Sequence, residues 1–251
     1  MSRARRIHAE FDASLHAFLR RRTAVFFTFF FPALLVLIFG ALVQTRPTGG
    51  GLFARDPAYY LPAYLAVVVV FTPLSRVGST VARHRDGHRF EKLATTPLAR
   101  WEWLFAHTLV NVVIIGAAGL ALFVLVVGVT GAVVPLGPRL LLVVPAVVAA
   151  VALFCGLGSV IGRVADSQDG VIAASNSVAL PVWALSETFV PPDMLPAWFR
   201  PVTALSPLTY FSRSVRAVTG TGGDWATNAA VLVVLAVAFF VAGAVAVPTT
   251  D

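Results

Sequence analysis

The chain has 251 residues, of which 58% are hydrophobic and only 12% charged, with a mean hydropathy of +0.83. A water-soluble domain carries about 25% charged residues, so this composition excludes one and calls for a bilayer, where a lipid-facing side chain needs no polar partner. The net charge is +7, but the basic residues fall between hydrophobic runs rather than on one patch, the pattern of a positive-inside membrane protein and not of a nucleic-acid binder.

The first element, over residues 3–22, is an amphipathic helix. Ile7, Phe11, Leu15 and Phe18 form one stripe, and the arginines lie off it. Such a helix is expected to lie along the membrane interface. Six runs of span length follow, at 23–43, 58–80, 104–128, 139–162, 170–188 and 226–247. Each approaches the roughly 20 residues needed to cross the hydrocarbon core as a helix. The first is rich in phenylalanine (Phe26, Phe27, Phe29, Phe30, Phe31) and holds Pro32, where a kink is expected. It has full span length and no Ala-x-Ala site after it, so a cleaved signal peptide is not expected. The fifth run is the weakest, short and interrupted by Ser175, Asn176, Ser177 and Pro181. The predicted fold is therefore an all-α integral membrane protein of six transmembrane helices. Residues 1–22 make its interface helix and residues 23–247 its permease-like domain.

Arginine and lysine set the orientation. Segments 1–22, 81–103 and 163–169 carry twelve of them, and the opposite connections carry six: Arg46, Arg55, Arg139, Arg200, Arg213 and Arg216. Arg76 lies near the end of the second run. This bias places both termini in the cytoplasm. Segment 81–103 is too charged to span. Phe90, Leu93 and Ala94 give it a short apolar stripe, and Thr96-Pro97 ends that helix because the residue before proline avoids the α region. A compact cytoplasmic helix–turn–helix is expected, suited to docking in a partner's groove. Segment 189–225 is apolar and aromatic (Phe189, Trp198, Phe199, Tyr210, Phe211). Ser206-Pro207 reads as a helix start and Gly220 as its stop. Two short re-entrant helices in the outer leaflet are expected before the last span.

Much chemistry is missing. No Gly-x-x-x-x-Gly-Lys-Ser/Thr loop occurs, and Lys92 is the one lysine of the chain, so the polypeptide is not expected to hydrolyse ATP or to act as an enzyme. His84 and His88 stand four apart with no obvious third metal ligand. Cys155 is alone in an apolar run, which suits packing. No run has an acid at its centre, which argues against ion-coupled transport. Gly158 and Gly162 form a Gly-x-x-x-Gly pair that suits a close helix contact.

The stretch Arg85-Asp-Gly87-His-Arg-Phe-Glu91-Lys-Leu93-Ala-Thr-Thr96-Pro97-Leu98, just after the second run, resembles the cytoplasmic motif of ATP-binding-cassette type-2 permeases. The later residues Pro196, Trp198, Pro207 and Tyr210 resemble that family's extracytoplasmic motif, with Ser206 where the family usually has asparagine. The likeness extends over the whole chain and is strongest to drug-export permeases of the daunorubicin-resistance type. It implies a plasma-membrane subunit without cofactors, paired with a second permease, identical or paralogous, and with separate ATPase subunits. It also implies that ATP-driven closure pushes on Arg85, Gly87, Glu91, Leu93, Thr96 and Pro97. Amphipathic drug-like or lipid-like compounds would then leave along spans two and five, past Thr72, Ser75, Asn176, Ser177 and Trp183. A polysaccharide or cell-wall polymer exporter, and a non-transporting anchor or assembly protein, are the alternatives.

Overall fold

A computed structural model describes residues 2–42 and 55–248 of the chain. Arg46 and the final residues 249–251 lie outside them. The described residues form helices joined by short connections, without strands. In chain order, α1 is Arg3–Leu19, and α2 is Arg22–Val36 with a π-helical continuation over Leu37–Leu42. A 3-10 turn at Pro57–Tyr60 leads into α3, Leu61–Asp86; α4 is Arg89–Ala94, and α5 is Arg100–Thr130. Another 3-10 turn, Pro138–Leu142, leads into α6, Val143–Val164, and α7 is Gln168–Ala184. The short α8, Arg200–Thr203, then α9, Pro207–Thr219, and α10, Trp225–Ala246, complete the chain.

Local chemistry accounts for the ends. Asp56 accepts the Ala58 amide at 2.8 Å, Ser167 caps α7 through Gly170, and Asp224 caps α10 through Ala226 and Thr227. Gly131 and Gly220, at φ 66° and 80°, stop α5 and α9 in the left-handed conformation that favours glycine. Pro207 opens α9 as expected, but Ser206 does not cap it. Its hydroxyl instead donates to the Val182 carbonyl at 2.6 Å and ties the start of α9 to α7.

Among the described residues, five helical stretches are long and apolar enough to cross a membrane: Arg22–Gly40, Pro57–Asp86, Arg100–Thr130, Pro138–Val164 and Trp225–Ala246. The expected fifth run becomes α7, which has 17 residues. At 1.5 Å per residue that is about 26 Å, short of a core about 30 Å thick.

Among the five stretches α3 is the most enclosed, with 72% of its apolar window buried against 22% in α10 and 17% in the first stretch. α6 lies between α3 and α10, and glycines let the backbones touch. A Cβ on Gly158 would lie 2.5 Å from the Leu74 carbonyl oxygen of α3, and one on Gly162 would strike the Gly78 carbonyl. On the other side of α6, a Cβ on Gly156 would strike Phe239 of α10, and one on Gly243 would lie 2.5 Å from the Gly156 Cα. Ser159 adds a hydrogen bond to the Gly243 carbonyl at 2.9 Å. The Gly158/Gly162 pair is thus used inside the chain. Outward, Phe26, Phe27, Phe30 and Phe31 of α2 and Val234, Val237, Val241 and Val245 of α10 remain exposed, as lipid contact requires.

Overpacking a tight contact costs about 1–3 kcal/mol or more. Gly156→Val should therefore lower the melting temperature in mild detergent sharply or prevent folding. Gly116→Ala, where nothing lies within 4 Å of a new Cβ, should leave it unchanged or slightly raised.

Candidate functional site

The segment between α3 and α5 forms an elbow beyond the basic end of the bundle. α3 ends at Asp86, and His88 takes a left-handed turn at φ 52°. α4 then runs for six residues to Ala94. Its inward side chain is Phe90, buried between His84 and Trp103 at ring distances of 5.4 and 5.5 Å, with His84 and Trp103 5.7 Å apart. Leu93 and Leu98 are partly buried on the same core. The Thr96 hydroxyl donates to the Leu93 carbonyl at 2.7 Å and so closes the turn before Pro97. The outer face consists of Arg89, Glu91, Lys92, Thr95, Thr96 and Pro97, all exposed.

The six residues expected to couple to a partner therefore share one elbow, but on different sides. Glu91, Thr96 and Pro97 face outward, and Glu91 is bonded to His88 at 3.1 Å. Leu93 and Gly87 shape the turns. Arg85 reaches back to the Arg163 carbonyl at the end of α6, at 3.1 Å, and Arg100 reaches the Val245 carbonyl of α10 at 3.3 Å. The elbow is thus fastened to four helices. His84 and His88 do not converge: His84 accepts from Arg89 at 3.3 Å and His88 turns to Glu91.

Sequence reasoning missed a polar row that binds α1 to α5. Arg6 makes a two-point contact with Glu102, at 2.6 and 3.0 Å, and Glu102 also accepts the Ala99 amide at 2.9 Å, capping α5. Glu10 and Ser14 bond to the two ring nitrogens of His107 at 3.1 and 3.2 Å. Phe18 then joins Val110 and Ile114, with Phe11 and Leu15 beside them. The contacts advance together along both helices, so the stripe of α1 is spent largely on protein. The signal was present as Arg6, Glu10 and Ser14 at four-residue spacing, next to a stripe that drew attention to its apolar members.

The expected path residues divide. Thr72 and Ser75 line a half-open cavity of about 590 Å³ between α1, α2 and α3, with Arg89 of α4 and His107 of α5 at its edge. Asn176 and Ser177 are exposed on α7 and do not line it. Trp183 packs edge-on against Phe189 at 5.3 Å.

At the opposite end, the residues after α7 form a second polar cluster. Glu187 is buried and accepts from Arg213 at 2.9 and 2.5 Å and from Thr203 at 2.9 Å. Arg216 donates to the carbonyls of Glu187 and Thr188 at 2.7 and 2.8 Å and stacks over the Tyr59 ring at 3.8 Å. The bond to Glu187 raises the Arg213 guanidinium, while burial lowers that of Arg216. Of the expected extracytoplasmic motif, Tyr210 donates to the Ala204 carbonyl at 2.9 Å, Pro207 starts α9, the Pro196 carbonyl accepts the Phe199 amide at 2.9 Å, and Trp198 is exposed. Arg55 bonds to Asp193 at 2.8 Å and holds its carboxyl below the ordinary value.

Glu187 is buried but Arg213 is 39% exposed, so removing the carboxylate strands no buried charge and forfeits charge-assisted hydrogen bonds worth about 1.5–3 kcal/mol. Glu187→Ala should lower the melting temperature markedly. The double variant Glu187→Ala/Arg213→Ala should lose less than the two single variants together, giving a coupling of about 1–3 kcal/mol in a double-mutant cycle.

No individually curated protein matches the sequence. Residues 5–219, from α1 to the end of α9, match the ABC-2 type transporter family, whose members are membrane components that generally work with an ABC ATPase subunit. The chain belongs to the ABC-2 type transporter family and is a multi-pass membrane protein of the ABC permease kind.

Proposed function

We propose that the chain is the membrane half of an ATP-driven exporter of the daunorubicin-resistance type, moving amphipathic drug-like or lipid-like compounds with energy from a separate ATPase subunit. The observation that carries this reading is the elbow. An exposed face, Glu91 to Pro97, is mounted on Phe90, and Phe90 is wedged between rings of α3 and α5. A push on that face is delivered to two long helices without a flexible link. Two copies, or this chain with a paralogue, complete the membrane part, and compounds leave between them.

The topology belongs to the same proposal. α7 crosses as the sixth span, which returns both termini to the cytoplasm. Support comes from its course beside α3. Val171 meets Gly78 at one end, and at the other Arg216 bonds both to the Glu187 carbonyl and to Tyr59. From residue 59 to 78, α3 rises about 28 Å, so α7 and the turn after it travel nearly the depth of a bilayer. Trp101 and Leu19, both large and exposed, suit the headgroup region at the basic end, where α1 borders the interface. The bends at α8 and α9, buried around Glu187, suit re-entrant helices in the outer leaflet.

Purification of the tagged chain from mild detergent should bring down a phosphate-loop ATPase in equal amount. Glu91→Arg combined with Leu93→Asp should reduce that recovery about tenfold, as expected for losing roughly 1.4 kcal/mol at the contact. Full recovery by a double variant that melts like the parent protein would place the docking face elsewhere. Absence of any ATPase from an intact preparation would sink the transporter reading.

A further inference from the structure

The cavity between α1, α2 and α3 is graded in polarity along α3. One end is walled by Val67, Val68, Phe71, Phe27 and Phe31, and the other by Arg76, Arg83, Arg21 and Arg89. From Val68 to Arg83 the helix rises about 22 Å, and from Phe71 to Arg76 about 8 Å, so the cavity passes from apolar to basic within about two helical turns. The hydroxyl groups of Thr72, Ser75, Ser79 and Thr80 line the stretch between them.

Among the described residues, no acid lines the basic end. Arg76 is the deepest of the four arginines. One of its terminal nitrogens, Nη1, is buried without a hydrogen-bond partner. The other is held only by Ser14, through its carbonyl at 3.4 Å and its hydroxyl at 3.3 Å, and the guanidinium lies 5.0 Å over the Phe18 ring. Arg83 donates to Thr80 at 3.1 Å, and Arg89 to His84 at 3.3 Å. Glu10 is bonded to the lining His107 and does not itself line the cavity. Arg76 is partly buried with its Nη1 enclosed; a cation held at membrane depth without a counter-charge is costly, and such residues usually face a ligand pathway. The enclosed carboxylates Glu102 and Glu187 are each paired with an arginine, and the enclosed Arg216 spends its guanidinium on the Tyr59, Glu187 and Thr188 carbonyls, whereas the Nη1 of Arg76 has neither kind of partner.

We propose that this cavity binds an amphiphile with an anionic headgroup, a phosphate, sulfate or carboxylate held by Arg76 and Arg83, with its apolar chain along Phe27, Phe31 and Phe71. The guanidinium fork matches the oxygens of such a headgroup and discharges the idle Nη1. The volume, about 590 Å³, falls within the roughly 300–1,000 Å³ usual for small-ligand sites. Phe27 and Phe31 are half exposed on a helix that buries little of its surface, so the apolar end adjoins lipid and a chain slides in sideways. The inference deepens the exporter reading, since it names the charge of the compound the site accepts. The same chemistry also describes an anionic lipid of the inner leaflet.

The test uses the full chain in a nonionic detergent and a photoreactive dodecyl phosphate, in competition with dodecylphosphocholine and dodecyltrimethylammonium. Dodecyl phosphate should bind about tenfold or more tightly than either competitor, since a hydrogen-bonded charge contact is worth roughly 1.5–3 kcal/mol, and should label α1, α2 or α3. Arg76→Gln should remove most of that preference. Arg83→Gln serves the same purpose if Arg76→Gln does not fold, and Thr72→Trp should block the probe while leaving the arginines in place. Equal binding of all three head groups by the parent protein, or an unchanged preference in both arginine variants, overturns the proposal. The source of the natural ligand is separated in vesicles containing the chain and its ATPase. Loss of the probe on adding ATP marks a cargo site, and retention marks a lipid-holding site; both uphold anion binding. The binding arms need no ATPase, so failure to pair with one counts against the transporter reading and not against the cavity.

Discussion

In lipid an apolar side chain gains little by leaving one hydrocarbon neighbour for another, so helices are held by close van der Waals approach and by polar contacts. The glycines of α6 supply the first. With Gly158 and Gly162 on one side and Gly156 on the other, α6 brings its backbone against α3 and α10 at once. The other described helices are arranged around that slab. α7 and α9 lie along α3 and α6, and the elbow is fastened to the slab through the Arg163 and Val245 carbonyls. A force on the elbow therefore meets a body joined by backbone contacts, which transmits displacement where loosely packed side chains would absorb it.

Enclosed polar groups supply the second kind of contact, and they fall into two kinds. Glu102 and Glu187 are each saturated by an arginine and by further donors, and each joins elements far apart in sequence, α1 to α5 and α7 to α9. Arg76 has no such counter-charge and donates only to the two oxygens of Ser14. Satisfied networks fix one arrangement. An unsatisfied cation keeps a capacity for interaction in reserve, and it does so beside a cavity rather than inside packed protein. The placement of charge thus distinguishes the scaffold from the region able to take up another molecule.

Much of this was legible in the sequence because its signals are local. Run length located the five long helices, Thr96-Pro97 located the turn of the elbow, and Pro207 with Gly220 bounded α9. What was illegible depends on partners distant in the chain. Ser206 has the residue type of a cap, but Val182 claims its hydroxyl. The Gly-x-x-x-Gly pair was readable as a close contact, yet only the fold shows that Leu74 and Gly78 fill it. Arg76 read as a residue near the end of a span, since one sequence cannot show that no acid from another helix comes to meet it. The path residues Thr72 and Asn176 are both polar and both on apolar helices, and periodicity gave no means of telling that one lines a cavity while the other is exposed.

The clamp between Arg6 and Glu102 joins residues 96 positions apart, and this has a consequence for how the protein is made. At a synthesis rate of about 5–20 residues per second, α1 leaves the ribosome roughly 5–20 seconds before its seat on α5 exists. During that interval Phe11, Leu15 and Phe18 have only the bilayer surface and the spans already inserted to shelter them. The amphipathic stripe thus serves the nascent chain first as a mooring to lipid. Translation of α5 later converts that mooring into a protein contact, so α1 is made well before it is seated, and its seat is complete before α6 to α10 have been made.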